Sequence, residues 1–282
     1  MDSGRKASFI LLAPPALFAA ALLGVPLSAI FAISFASQDF LSLDWTPTFA
    51  NYREALTEPI YRELLFRSLL VAGAATAATV ALAFPVAYFV SFHVSPSRKA
   101  LWLFLITVPF WTSYLIRVFL WKVILGFNGV INASLLEIGL IEAPLGFLLY
   151  NPAAVIITLA HAYAPFAILP VFVALERVDR SYLEAARDLG ETGAGAFRRI
   201  TLPLAAPGIA AAALVVFIPT MGDYVTPRLV GGPDGLMIAN MIQVQFMRLN
   251  NAPLGAALAV LAMGSVALAA FALAPLSRRA AQ

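Results

Sequence analysis

The sequence contains no cysteine and only two histidines, His93 and His161. The first absence removes disulfides, thiolate catalysis and cysteine-ligated metals, and with them any inference about redox compartment. The second, with no Asp-rich motif present, leaves none of the paired acids, His clusters or nucleophile-base pairs from which a membrane-embedded enzyme is built. No glycine-rich loop ending in Gly-Lys-Ser or Gly-Lys-Thr occurs, so the chain has no P-loop of its own for ATP. Charge is scarce as well: 12% of the 282 residues are charged, against roughly 25% in an ordinary soluble domain. A net charge of +3 does not point to nucleic acid; in so apolar a chain, the placement of the charges matters more than their sum.

What is abundant is apolar sequence, 61% of the chain. A helix needs about 20 apolar residues to cross a bilayer, and six stretches qualify: 8–36, 64–92, 100–125, 152–175, 207–229 and 254–276. Each must satisfy its own backbone hydrogen bonds in lipid, so all six are expected to be α-helical. The first follows Arg5 and Lys6 but runs far beyond the roughly 7–15 residues of a cleavable signal segment, which predicts an uncleaved first helix. The chain reads as one transmembrane domain over 1–282: an N-terminal helix at 8–36, a helical bundle over 64–276, and an extramembrane loop at 176–206.

Alternating the spans places Arg5, Lys6, Arg98, Lys99, the 176–206 loop, Arg278 and Arg279 on one side, with eleven of the 18 Lys and Arg residues. The positive-inside rule makes that side, and both termini, cytoplasmic. Segments 37–63, 126–151 and 230–253 then face outward. The first is acidic, with Asp39, Asp44, Glu54, Glu58 and Glu63, and Asn51–Leu56 is expected to form a short surface helix. It is either a solvated loop or a surface attracting a cation or partner.

Proline in a soluble helix interior costs roughly 3 kcal/mol, yet Pro14, Pro15, Pro26, Pro85, Pro109, Pro165, Pro170 and Pro219 lie within these spans. Neighbouring helices or lumen water satisfy the freed carbonyls in a membrane bundle, so kinked helices around a path are expected. Gly73, Ala74, Ala77 and Ala78 allow close helix approach. No internal repeat is apparent.

The 176–206 loop is longer than a helix hairpin requires. Ser181 followed by Glu184 fits a capping box; Tyr182, Ala185, Ala186 and Leu189 fall on one helical face; Gly190 suits the left-handed residue that ends the helix. The result is a short amphipathic helix with a small apolar face and with Glu184, Arg187 and Asp188 on the other. It is either a plug for a partner's groove or a helix lying on lipid headgroups. Beyond it, Gly193 and Gly195 allow a turn, Phe197 and Ile200 offer a second apolar edge, and Pro203 and Pro207 stiffen the return to the bilayer.

Glu184-Ala185-Ala186, Asp188-Leu189-Gly190, Phe197, Leu202-Pro203-Leu204 and Pro207-Gly208 together resemble the EAA-loop signature of ABC importer permeases with the type I importer (MetI-like) fold. The resemblance implies an all-α membrane protein of six transmembrane helices in a bacterial inner membrane, with the loop serving as a coupling helix seated in an ATPase subunit. It gives that contact to Tyr182, Glu184, Ala185, Ala186, Asp188, Leu189 and Gly190. Pro109-Phe110-Trp111-Thr112-Ser113-Tyr114-Leu115-Ile116-Arg117, Asn128-Gly129, and Gly222-Asp223-Tyr224-Val225 leading into Gly231-Gly232-Pro233 are similar to spermidine/putrescine permeases, the first of the two permease subunits of such systems. That likeness implies a second homologous permease, two ATPase subunits that hold ATP and magnesium, and a periplasmic solute-binding protein. No cofactor is expected in this chain.

An ionisable side chain at membrane depth costs at least about 2.5–3.5 kcal/mol and usually faces the bundle interior or a water-filled cavity. Asp223 and Arg117 are such residues. A carboxylate beside an aromatic, here Tyr224, suits an alkylammonium by charge pairing and cation–π contact; equally, Asp223 either neutralises Arg117 or caps a broken helix. Trp111, Tyr114 and Trp121 belong either to the same route or to the interfacial aromatic belt. His161 is either an interhelical hydrogen-bonding residue or a proton carrier. An ion-coupled secondary transporter would also be polytopic and kinked, but it needs midplane ionisable residues and paired repeats, and Asp223 is the one clear internal acid. An ABC permease for another small organic solute fits the same pattern.

Overall fold

The computed structural model describes residues 3–40 and 42–278. In chain order the elements are α1 (Ser3–Ile33), a hairpin of β1 (Ser37–Asp39) and β2 (Ser42–Asp44), α2 (Ala50–Thr57), α3 (Pro59–His93), α4 (Pro96–Thr107), α5 (Tyr114–Leu125) and α6 (Val130–Glu137). These are followed by α7 (Pro152–Glu176), α8 (Arg180–Asp188), α9 (Gly193–Ala196), α10 (Leu202–Met221), α11 (Ile238–Met247) and α12 (Ala252–Arg278). The antiparallel hairpin pairs Gln38 with Leu43 and is the only strand pairing among the described residues. Arg279, counted above among the cytoplasmic cations, lies outside the described residues.

Among the described residues, six helical runs are long and apolar enough to cross a membrane: Leu12–Ile33, Pro59–His93, Tyr114–Glu137, Pro152–Glu176, Gly193–Met221 and Ala252–Ala272. The expected third span, 100–125, is corrected. The helix stops at Thr107, a tight 3-10 turn runs from Val108 to Trp111, Thr112 and Ser113 are extended, and α5 restarts at Tyr114. Pro109 brings no N–H to the ladder, and its ring opposes helical continuation, so the break falls there. The expected fifth span, 207–229, moves toward the N-terminus. Gly193–Met221 is one helical run with a π turn at Phe197–Thr201, and the chain breaks again at Gly222 and Asp223. Segments read as connecting loops contain α6 and α11, while the surface helix expected at Asn51–Leu56 is present as α2.

The chain forms two compact units: the described residues up to Glu63 with Met241–Met263, and Leu64–Asn240 with the described residues from Gly264. In the first, Asn51 Nδ2 donates to the carbonyls of Ser34 (3.0 Å) and Ala36 (2.7 Å), which fastens α2 to the end of α1. Phe35 adds ring contacts with Phe31, Phe49 and Tyr52. Buried Gln245 donates to the Tyr61 hydroxyl at 3.2 Å.

The second unit is organised around α7, which Asn151 caps by accepting from Ala154 N (2.9 Å), with Pro152 at the first helical position, where a missing N–H costs nothing. Small residues bring α3, α7 and α10 together: Ala83 and Ala87 meet Ala167 and Val171, and Ala205 and Ala212 close the cluster. At Gly208 the approach admits no side chain, since a Cβ there would lie 2.3 Å from Ala174 Cβ and 2.7 Å from the Pro170 carbonyl. The α7–α10 pair is therefore held at backbone contact, and it carries at its two ends the two regions described next.

Candidate functional site

The first region surrounds α8. Its N-cap is Asp179, whose Oδ1 accepts from Ser181 N at 2.9 Å. The capping box read from Ser181 and Glu184 is therefore not formed: a carboxylate two residues earlier accepts the orphan donor and complements the helix dipole, which leaves Glu184 mid-helix and exposed. Hydrogen bonds from Ser181, the backbone N–H foremost, hold the Asp179 carboxyl below the usual carboxylate range. The C-terminal stop is where the sequence puts it. Gly190 has φ +84°, its N–H reaches the Arg187 carbonyl (2.9 Å), and Glu191 N–H reaches that of Ala186 (2.9 Å), the two bonds of a Schellman motif.

Ala186 packs inward while Tyr182 and Leu189 stay exposed, Leu189 at 87%. Together with Ala185 and Gly190 they form one wall of an open groove of about 920 Å³, faced by Ile200, Pro203 and Leu204. Two expectations beyond α8 are corrected. Gly193 and Gly195 do not make a turn but start α9, with Thr192 Oγ1 accepting from Gly195 N at 3.1 Å. Phe197 is not an open edge; its ring meets Phe84 and Tyr88 at 5.6 and 5.9 Å. The root of α8 is tied to the bundle through Glu176, whose Oε1 accepts from Lys99 Nζ and Ser91 Oγ, both at 2.6 Å. Arg180 Nη2 in turn reaches the Ser91 carbonyl at 3.4 Å.

The second region lies where two broken helices meet. After α10 ends at Met221, buried Asp223 (7% exposed) accepts with Oδ1 from Val225 N (2.8 Å) and Thr226 N (3.2 Å), starting the π turn Pro227–Gly231. Its Oδ2 accepts from the Tyr114 hydroxyl at 2.5 Å. Tyr114 is the first residue of α5, directly after the Pro109 break. The Tyr114 hydroxyl also lies 2.6 Å from Thr226 Oγ1. A phenol has one proton, and here it goes to the carboxylate, so Thr226 donates to Tyr114 and the three groups form a directed chain. The Tyr163 ring stands 6.0 Å from that of Tyr114, and Asn240 fixes the loop by donating to the Tyr224 carbonyl (2.8 Å) and accepting from Met237 N (3.0 Å).

Of the readings open for Asp223, the cap on a broken helix is formed and the ion pair with Arg117 is not. The Arg117 guanidinium lies over the Phe110 ring (4.4 Å), Nη1 reaches the Ala162 carbonyl at 3.3 Å, and buried Nε has no partner. Its centre is 5.9 Å from the Tyr114 ring. The structure thus groups Tyr114, Asp223 and Arg117. It leaves Trp111 76% exposed with its ring edge on Phe104, and Tyr224 joins through its carbonyl alone. Trp121 packs edge-on against His161 at 5.4 Å. Thr226, Tyr163 and Asn240 escaped the sequence reading; only Thr226, three residues after an Asp at a helix break, carried a local capping signal.

Comparison with known proteins gives this geometry its context. Residues 61–281 match the family described as "Binding-protein-dependent transport system inner membrane component". The chain is 39% identical to the spermidine/putrescine transport system permease protein PotB of Escherichia coli (strain K12) over 237 residues, 84% of this chain and 85% of the relative. It is 35% identical over 280 residues, 95% of this chain and 88% of the relative, to the inner membrane ABC transporter permease protein YdcU of the same organism. In fold it matches a chain of a bacterial alginate ABC transporter in complex with an alginate pentasaccharide-bound periplasmic protein, with TM-score 0.76, 16% identity, and 97% and 94% of the two chains covered. A chain of the inward-facing MetNI methionine ABC transporter gives TM-score 0.59 at 18% identity, with 79% and 99% covered. With six helical runs of membrane-spanning length, the type I ABC importer permease fold and a family match over most of its length, the chain is a multi-pass inner-membrane transport subunit, not an enzyme, and it belongs to the family of binding-protein-dependent transport system inner membrane components.

Proposed function

We propose that the chain acts as one permease domain of an ATP-driven importer that brings a polyamine, putrescine or spermidine, into the bacterial cytoplasm. The permeases named for spermidine and putrescine at 38–39% identity supply the solute class. The chain works with a second homologous permease, two ATPase subunits that hold ATP and magnesium, and a periplasmic binding protein that delivers the solute. A cytoplasmic position for both termini and α8 is supported by the eleven of 18 Lys and Arg residues that alternation of the spans assigns to that side.

The observation that carries this reading is α8 itself. It is a nine-residue helix closed at both ends by its own caps, rooted to the bundle through Glu176, and turning Tyr182, Ala185, Leu189 and Gly190 into an open apolar groove. Those residues, with Glu184, Ala186 and Asp188, form the seat for an ATPase cleft. A rigid peg transmits displacement without bending, and backbone contact at Gly208 carries it from α7 into α10. At the far end of α10, Asp223 with Tyr114, Arg117, Trp111 and Tyr224 lines the solute's route. A buried carboxylate without a cationic partner among the described residues favours an alkylammonium.

The test is binding-protein-stimulated ATP hydrolysis by the purified complex across a panel of small cations. Stimulation by putrescine or spermidine, and not by neutral solutes, is the expected outcome. Uphill transport by this polypeptide alone, reconstituted without nucleotide, would remove the importer reading.

A further inference from the structure

Asp223 is held by three donors: two backbone N–H groups of its own turn, and the hydroxyl of Tyr114, which comes from 109 residues away. No Lys, Arg or His nitrogen lies within ion-pair distance of it among the described residues. A buried carboxylate supported only by neutral donors gains strongly from a cation, because charge-assisted hydrogen bonds are roughly twice as strong as neutral ones. The two N–H groups cannot leave without unwinding the turn. Tyr114 can, since it starts α5 directly after the extended residues Thr112 and Ser113.

The point that Tyr114 would vacate has defined chemistry. It lies 2.5 Å from Asp223 Oδ2 and 2.6 Å from Thr226 Oγ1. A primary ammonium carries three N–H donors: one reaches the carboxylate, and a second reaches Thr226, whose hydroxyl changes from donor to acceptor by rotating its own proton away. No proton is transferred and no bond is broken. The Tyr163 ring, 6.0 Å from that of Tyr114, keeps an aromatic group beside the seat. A quaternary ammonium has no N–H and cannot satisfy both oxygens.

We infer that the Tyr114 hydroxyl is a placeholder on Asp223, occupying in the closed route the seat that a primary ammonium of the solute takes when the route opens. This rests on the reading of Asp223 as part of the route. It adds a requirement for at least two N–H donors on the cation, and it couples solute entry to release of α5 from the loop after α10.

The experiment uses the whole complex in proteoliposomes and reads three quantities: equilibrium binding of radiolabelled putrescine, ATP hydrolysis without solute, and uptake with the binding protein. Removing a hydrogen bond to a charged group corresponds to about a tenfold effect or more. Tyr114→Phe is therefore expected to tighten putrescine binding about tenfold and to raise solute-independent ATP hydrolysis. Thr226→Val removes the second oxygen and weakens putrescine binding, while putrescine trimethylated at both nitrogens, which has no N–H left, does not compete in the unaltered complex. If Asp223→Asn abolishes putrescine uptake but Tyr114→Phe binds putrescine no more tightly than the unaltered complex, the placeholder is overturned and the route reading stands. If Asp223→Asn leaves uptake intact, the route reading fails and the placeholder with it. Co-purification of all subunits checks that each variant assembles.

Discussion

The region around α8 and the knot at Tyr114 and Asp223 are built by opposite means. The hydrogen bonds that cap α8 are local: Ser181 N–H to Asp179, Gly190 N–H to Arg187 and Glu191 N–H to Ala186. The knot joins residues 109 and 112 positions apart, and its partners are buried or half-buried. One is a self-contained peg exposed to whatever meets it; the other exists only while two broken helices are held face to face. On the proposed function, the part that pushes keeps its shape by local bonds, whereas the part that opens depends on contacts that can be exchanged.

The sharpest way to break this contrast is to separate the helices that connect the two regions. Gly208→Val puts a branched side chain where even a Cβ would be 2.3 Å from Ala174 Cβ. Overpacking of this kind costs about 1–3 kcal/mol, and parting α7 from α10 disturbs both regions at once. A thermal-shift assay of the purified chain should show a lower midpoint, and both solute binding and ATPase coupling should fall.

Changes confined to the peg should leave the knot untouched. Gly190→Val forces a β-branched residue into φ +84°, a strain of about 1–3 kcal/mol, and frays the end of α8. Uptake per ATP hydrolysed should drop severalfold while putrescine binding to the complex stays the same; unchanged uptake with normal assembly would take α8 out of the mechanism. Glu176→Gln weakens the tie to Lys99 and Ser91. Partly exposed ion pairs contribute up to about 1 kcal/mol, so assembly should persist and coupling fall modestly, as the ratio of transport to hydrolysis would show.

The smallest expected effect is at Asp179. Its exposed carboxyl is held below its ordinary pKa in the folded chain, so its contribution to α8 is present above the unfolded carboxylate pKa and fades as pH falls through the folded one. Asp179→Ala should therefore lower coupling slightly at neutral pH. The difference from the unaltered chain should vanish in strongly acidic buffer; a difference that persists there would assign another role to Asp179.

The same contrast explains what could be read in advance. Six apolar stretches, the short helix after residue 180 and its stop at Gly190 were legible because length, period and a glycine are local signals. The capping box was misassigned by two residues because Asp179 and Ser181 both present capping oxygens, and only the structure shows which one meets an N–H. The third span was read as continuous because no charged residue interrupts Val108 to Ser113, and hydropathy averaged over a span does not register the donor that Pro109 lacks. Tyr163 beside Tyr114, and the bond from Asn240 to the Tyr224 carbonyl, carried no signal, because those partners lie outside the local sequence.

Composition and local pattern alone determined that this chain spans the membrane six times and carries a capped peg beside its fifth span, since bilayer thickness and backbone geometry act on neighbouring residues. Only tertiary structure decided that Asp223 meets Tyr114 and Thr226 while Arg117 goes to the Phe110 ring. Those choices depend on where two helix breaks fall relative to each other, and the packing of Val118 and Leu125 of α5 with Val155 and Leu159 of α7 and with Val230 holds them there.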